Sequence, residues 1–266
     1  MDQQQRQWDL NRLNFEGRWR GRSHWYLRSD QLQLSQPSRV IDDTCYHIHF
    51  SDPDHGVWDG SGLLFAPEGR RQLTLTRASY NSGGQCWQFT GAGGQSSLRV
   101  DAGAERFGHE VNLFTGRSRS MLVLLWRPHP DHGGVVWSLD AVGAVGFRCG
   151  NATTQEAPRP SQTPEQLLQS LQGWQGTREC WPDERIDPCD VFSAEQFAVH
   201  PLTATFVDGL ICSVPEQLPR GAFRLHIGCL TSAKTFQQIN LVFDEQQQLE
   251  RCERRCYAPA SSECDG

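Results

Sequence analysis

Apolar residues in this sequence recur at every second position, in short runs broken by Gly, Asp, Asn and Pro. Side chains alternate between faces along a strand but repeat every three to four residues along a helix, so this spacing specifies strands with a buried face. Thr44, Tyr46, Ile48 and Phe50 share one face of such a run, with Cys45, His47 and His49 on the other. Ser51-Asp52-Pro53-Asp54 ends it as a turn. Leu73 and Leu75 alternate with Thr74 and Thr76, and Trp137, Leu139, Ala141, Val145 and Phe147 share one face of a longer run. Met121 to Trp126 is apolar on both faces, the pattern of a strand covered on each side or offered to an interface. No apolar stretch approaches the ~20 residues with which a helix spans a bilayer, so no integral membrane association is expected.

From 151 to 163 Thr, Gln, Pro and Ser crowd together without a periodic apolar face. The expected organisation is a β-domain over residues 9–150, a linker over 151–163, a second β-domain over 164–257 and a flexible tail over 258–266. Pro164 suits the first position of a short helix carrying Glu165 and a stripe of Leu167, Leu168 and Leu171. Strands then resume from Trp174 to Trp181. One later run carries Ala204, Phe206, Leu210, Cys212 and Val214, and others carry Phe223 to Cys229, Ile239 to Phe243 and Leu249 to Tyr257. Each half has room for about eight to ten short strands.

Two segments echo each other at the starts of these halves. Trp19-Arg20-Gly21 follows Asn14-Phe15-Glu16-Gly17-Arg18, and Trp174-Gln175-Gly176 follows Leu171-Gln172-Gly173. Each places Trp-x-Gly at the entrance to an aromatic-bearing strand beyond a short helix. An indole can plug the closed end of a barrel while the nearby Gly lets the chain bend or approach it closely. Trp19, Gly21, Trp174 and Gly176 are therefore expected as structural barrel plugs, and the fold as all-β, two tandem antiparallel barrels with short helices near their entrances.

These openings resemble the calycin superfamily, the barrels that include lipocalins and fatty-acid-binding proteins. The opening Asn14 to Gly21 and the length of 266 residues resemble, more specifically, an uncharacterised cyanobacterial family built from two calycin-like domains. The resemblance implies a small-molecule cavity and names no ligand. Neighbouring calycin-like families attach open-chain tetrapyrroles to antenna proteins, which brings in a bilin as ligand, although no lyase signature maps onto these residues.

Arg251, Glu253, Arg255 and Tyr257 fall on one face of the final strand. Arg255-Cys256-Tyr257 resembles the Arg-x-Tyr pattern by which fatty-acid-binding barrels hold a ligand carboxylate. A guanidinium fork and a phenol suit an anion, with the barrel wall covering an apolar remainder. Glu253 can neutralise either arginine instead, or the face can meet water. His47 and His49, in line with Cys45, are weak candidates for a metal, because local spacing supplies no further ligand. No four-thiol zinc knuckle is written among the 10 cysteines. No nucleophile elbow selects a Ser, and the glycine pairs lead into no phosphate loop.

Net charge of -6 without a basic stripe argues against nucleic acid. Met1 to Asp9 lacks the apolar core of a secretion signal, so a cytoplasmic protein with reduced thiols is expected. Asn151-Ala152-Thr153 has the spelling of a glycosylation acceptor in a loop. The leading functional expectation is noncatalytic binding of a small apolar carboxylate by Arg255, Tyr257 and Arg251, with no cofactor required. The alternatives are a bilin lyase or chaperone handling a tetrapyrrole, and a structural protein with filled barrels that meets a protein partner.

Overall fold

The computed structural model describes residues 2–131, 134–150, 157, 159–182 and 185–260. The Asn151-Ala152-Thr153 tripeptide, His132, Cys264, most of the expected linker and most of the expected tail lie outside the described residues. The chain divides into two compact units, Met1–Arg159 and Pro160–Gly266.

The first unit opens with α1 (Gln3–Phe15) and continues through β1 (Gly17–Leu27), β2 (Arg39–Phe50), β3 (His55–Ser61), β4 (Arg70–Thr76), β5 (Cys86–Phe89), β6 (Ala92–Ser96), β7 (Phe107–Thr115), β8 (Ser118–Asp131) and β9 (Gly134–Cys149). The second carries α2 (Pro164–Ser170), β10 (Gln175–Trp181), β11 (Ile186–Cys189), α3 (Ala194–Phe197), β12 (Leu202–Thr205), β13 (Leu210–Val214), β14 (Phe223–Ser232), β15 (Thr235–Phe243) and β16 (Leu249–Ala258). All strand pairs in both sheets are antiparallel. No described helix is long and apolar enough to cross a membrane.

The nine-stranded sheet runs β4-β3-β2-β1-β9-β8-β7-β6-β5, and the seven-stranded sheet runs β11-β10-β16-β15-β14-β13-β12. The first and last strands of each unit therefore pair inside the sheet, at its centre in the first unit and one strand from an edge in the second, and the two edges are strands consecutive in sequence. Among the described residues β4 does not bond to β5, nor β11 to β12, so the expected closed rings are instead a curled half-barrel and an open sheet. The second unit holds fewer strands than expected. Its run from Ala204 to Val214 breaks into β12 and β13 at a short turn, Val207–Gly209, where Asp208 takes a left-handed φ of 60°.

The helix α1 spans the interruption of the first sheet. Its buried face is Gln7, Trp8, Asn11, Asn14 and Phe15, a helical spacing in which three of five side chains are amides. Gln7 accepts from the Gln88 backbone N–H at 2.7 Å and donates to the Gln88 carbonyl at 3.1 Å, taking the place of a neighbouring strand on edge strand β5. Asn14 accepts from Gly91 N–H and donates to the carbonyls of Phe89 and Ala92, fastening the β5–β6 turn. On the other side Trp8 donates its indole N–H to the Pro53 carbonyl at 2.6 Å and packs edge-on against Phe50 and Tyr80. Trp19, fully buried, donates to the Phe15 carbonyl at 2.7 Å, with Arg117 over its ring at 4.7 Å. Gly21 is needed where β1 meets β9, because a Cβ there would stand 2.7 Å from the Gly146 carbonyl oxygen.

In the second unit the helices are apolar plugs. Thr163 and Gln166 form a reciprocal capping box at the start of α2. Leu167, Leu168 and Leu171 then pack with Phe192, Phe197, Phe236 and Tyr257, with Trp174 half-buried against that cluster. Gly176 lies opposite Tyr257 in β16.

Replacing Asn14 with Ala leaves the Gly91 N–H and two strand-end carbonyls without their partner, and about 2–3 kcal/mol of local stability should go with them. Hydrogen exchange at the β5 and β6 amides should accelerate by the matching factor. The exposed neighbour Leu13→Ala should leave those rates within about 0.5 kcal/mol of the parent.

Candidate functional site

Register in the second sheet assembles a polar inner face. His226 of β14 sits opposite Asn240 of β15, which sits opposite Glu253 of β16. One step along, Gln238 lies opposite Arg255, and Phe236 opposite Tyr257. Gly228 makes room at that end, since a Cβ there would stand 2.3 Å from the Phe236 ring. The sequence marked Ile239, Leu241 and Phe243 as the buried face of β15. Both of its faces are buried, so Gln238 and Asn240, which pattern assigns to solvent, are interior groups.

The amides form a directed chain. Asn240 donates to Glu253 Oε2 at 3.3 Å, and Gln238 Nε2 donates to Asn240 Oδ1 at 2.6 Å and to His226 Nδ1 at 3.3 Å. His226 therefore accepts at Nδ1 and carries its proton on Nε2. Glu253 also accepts from Arg251 Nε at 2.8 Å and from Arg255 Nη2 at 3.1 Å. The anticipated neutralisation by Glu253 thus reaches both arginines.

Arg255 and Tyr257 line a cavity of about 340 Å³ with His226, Gln238, Phe192 and Phe197. His200 and Arg224 also line it, and among the described residues the lining contains no Asp or Glu. Arg255 Nε has no hydrogen-bond partner among the described residues. Arg251 lies on a separate depression beside Phe223 and Phe243, tied to Glu250 and Glu253. Of the three proposed ligand residues, two meet at one cavity and the third acts on Glu253.

His47 and His49 stack on each other with ring centroids 5.1 Å apart. Among the described residues no group of three His, Cys, Asp or Glu side chains is placed to hold a metal. Cys45, Cys86, Cys149, Cys180, Cys212, Cys229, Cys252 and Cys256 are free thiols. A second, larger cavity lies in the first unit, with Arg119 in its lining. Arg119 follows a hairpin turn, and nothing in its sequence setting marks it as interior.

His226 in the smaller cavity and Glu253 beside it titrate away from their ordinary values. Burial of His226, reinforced by His200, Arg255 and Arg224, lowers its pKa to about 4. For Glu253 burial alone would raise the value, but the Arg251 hydrogen bond and the Arg255 charge outweigh it and hold the carboxyl at about 2. Both folded values lie below the ordinary 6.5 and 4.5, so the unfolded chain binds each proton more tightly. The His226 contribution is complete above pH 6.5 and is lost as pH falls to about 4; that of Glu253 is lost between 4.5 and about 2.

His226→Gln, which keeps an acceptor for Gln238, should therefore flatten the fall in stability between pH 6.5 and 4 by up to about 3 kcal/mol, read from urea unfolding of both proteins across that range. Glu253→Gln leaves two arginines without their shared carboxylate and should cost about 3–5 kcal/mol at neutral pH.

No protein-family model and no curated protein matches this sequence. Among solved structures, a protein of unknown function from the DUF3598 family of Nostoc punctiforme matches with a TM-score of 0.69 at 14% identity, covering 96% of this chain and 99% of its own. That likeness extends through both units and concerns the fold, one shared with an uncharacterised cyanobacterial family. The tesB protein of Mycobacterium avium subsp. paratuberculosis aligns over 80% of this chain at 14% identity, but its TM-score of 0.13 carries no argument.

Proposed function

We propose that the protein is a noncatalytic binder of a small acidic molecule with an apolar body, held in the second unit by Arg255 and Tyr257. The observation that carries this reading is the lining of the cavity: two guanidiniums, two histidines and an aromatic wall, with no carboxylate, inside a chain of net charge -6. An anion entering it meets two guanidiniums and no carboxylate among the described residues. Arg255 offers its unpartnered Nε–H, while Glu253 behind it holds the guanidinium in place. Phe192, Phe197 and Val199 remove the apolar part of the ligand from water.

Each unit is, in this proposal, a calycin barrel interrupted between two consecutive strands. Pairing of the first and last strands of each unit and the burial of Trp19 under α1 support that assignment. The free thiols suit a reducing, cytoplasmic setting.

Native mass spectrometry of the intact protein from its own cell should reveal a retained small anion. In calorimetric titration, Arg255→Met should weaken benzoate at least tenfold, the loss of one charge-assisted hydrogen bond, while the protein stays folded with a melting temperature lowered by the loss of one Glu253 partner. Equal benzoate affinity in the two proteins would overturn the assignment.

A further inference from the structure

The half-barrel of the first unit encloses a cavity of about 590 Å³. Its wall is mainly apolar and aromatic, with Trp25, Tyr46, Trp58, Leu73 and Val123 among the lining residues. Four charged residues also line it: Arg71, Arg106, Arg119 and Glu110. Three positive charges against one negative is an unusual lining for an acidic chain, and their depths differ.

Arg119 is 1% exposed and sits among rings, with its guanidinium carbon 4.8 Å from the centroid of Phe15, 5.0 Å from Phe147 and 5.2 Å from Tyr46. Its Nε donates to Asn112 at 2.7 Å, and Nη2 reaches Glu110 at 3.5 Å. Its Nη1 has no hydrogen-bond partner among the described residues. The Trp25 indole N–H, buried in the same lining, is likewise unpartnered. A desolvated guanidinium is costly unless its charge and donors are met; with Asn112 on Nε, Met121 and a long contact to part-exposed Glu110 on Nη2, and nothing on Nη1 among the described residues, they are met incompletely.

Arg71 and Arg106 are exposed lining residues and so belong to the mouth. Arg106 lies over Phe65 at 4.9 Å, and Phe65, 43% exposed, packs edge-on against Trp25 at 5.2 Å. Positive charge thus stands at both the inner and outer ends of an apolar passage.

We propose that this cavity binds an elongated apolar molecule bearing an acidic group at each end, the inner one on Arg119 and the outer one between Arg71 and Arg106. The apolar body supplies burial, and the paired charges select a dianion over a monoanion of the same length. This site is independent of the smaller cavity that holds Arg255.

The test is calorimetric titration of the full chain with α,ω-dicarboxylates of increasing length and the matching monocarboxylates. At the fitting length the diacid should bind at least tenfold more tightly, and Arg71→Gln with Arg106→Gln should erase that advantage without weakening the monoacid. Arg119→Met should weaken both acids at least tenfold. If that variant fails to fold, Leu73→Trp, placed in the lining, should abolish binding of both while the melt is preserved. Benzoate affinity should be unchanged in every folded variant, which separates this site from the one in the second unit. Equal binding of diacid and monoacid at all lengths, or diacid binding that survives Leu73→Trp, would overturn the proposal.

Discussion

The interruption between β4 and β5 is the constraint on which the first unit depends. A curled sheet with two free edges presents unpaired peptide groups and an open wall. Here α1 answers both with side-chain amides: Gln7 stands in for a strand beside Gln88, and Asn14 holds the Phe89–Ala92 turn. Trp8 reaches the opposite side at Pro53, Phe50 and Tyr80. Directional bonds to β5 and aromatic packing through Trp8 and Phe15 thus hold the helix across the break.

The second unit, whose sheet breaks between its second and third strands, meets the break by packing. Leu167, Leu168, Leu171, Phe192 and Phe197 cover the inner face at its Phe236–Tyr257 end. Polar groups then collect on the remaining part of that face, where Glu253 fixes Arg255 and the amide chain fixes His226. Each unit pairs its first strand with its last, yet one is covered by a helix bearing amides and has the more apolar cavity, while the other is covered by apolar helices and has the more polar one.

Much of the fold was legible because strand parity is a strong signal. The face carrying Thr44, Tyr46 and Ile48 is buried, and the α2 stripe of Leu167, Leu168 and Leu171 is interior. The helix α1 was hard to read for a physical reason: its buried face alternates amides with aromatics, and hydropathy scores an amide as solvated whether or not a backbone partner awaits it. The same failure hid Gln238, Asn240, His226 and Arg119. Each is polar, each is buried, and each is tied to groups remote in sequence.

The sequence by itself determined the mostly β character, many of the inward faces, the two-part organisation and the juxtaposition of Arg255 and Tyr257, because these follow from spacing along the chain. Only the tertiary structure decided that neither sheet closes by strand pairing among the described residues, that Glu253 restrains both arginines, and that Arg119 lies inside an aromatic enclosure. Burial of a charge is set by what surrounds it in three dimensions, and no local pattern records which distant groups will do so.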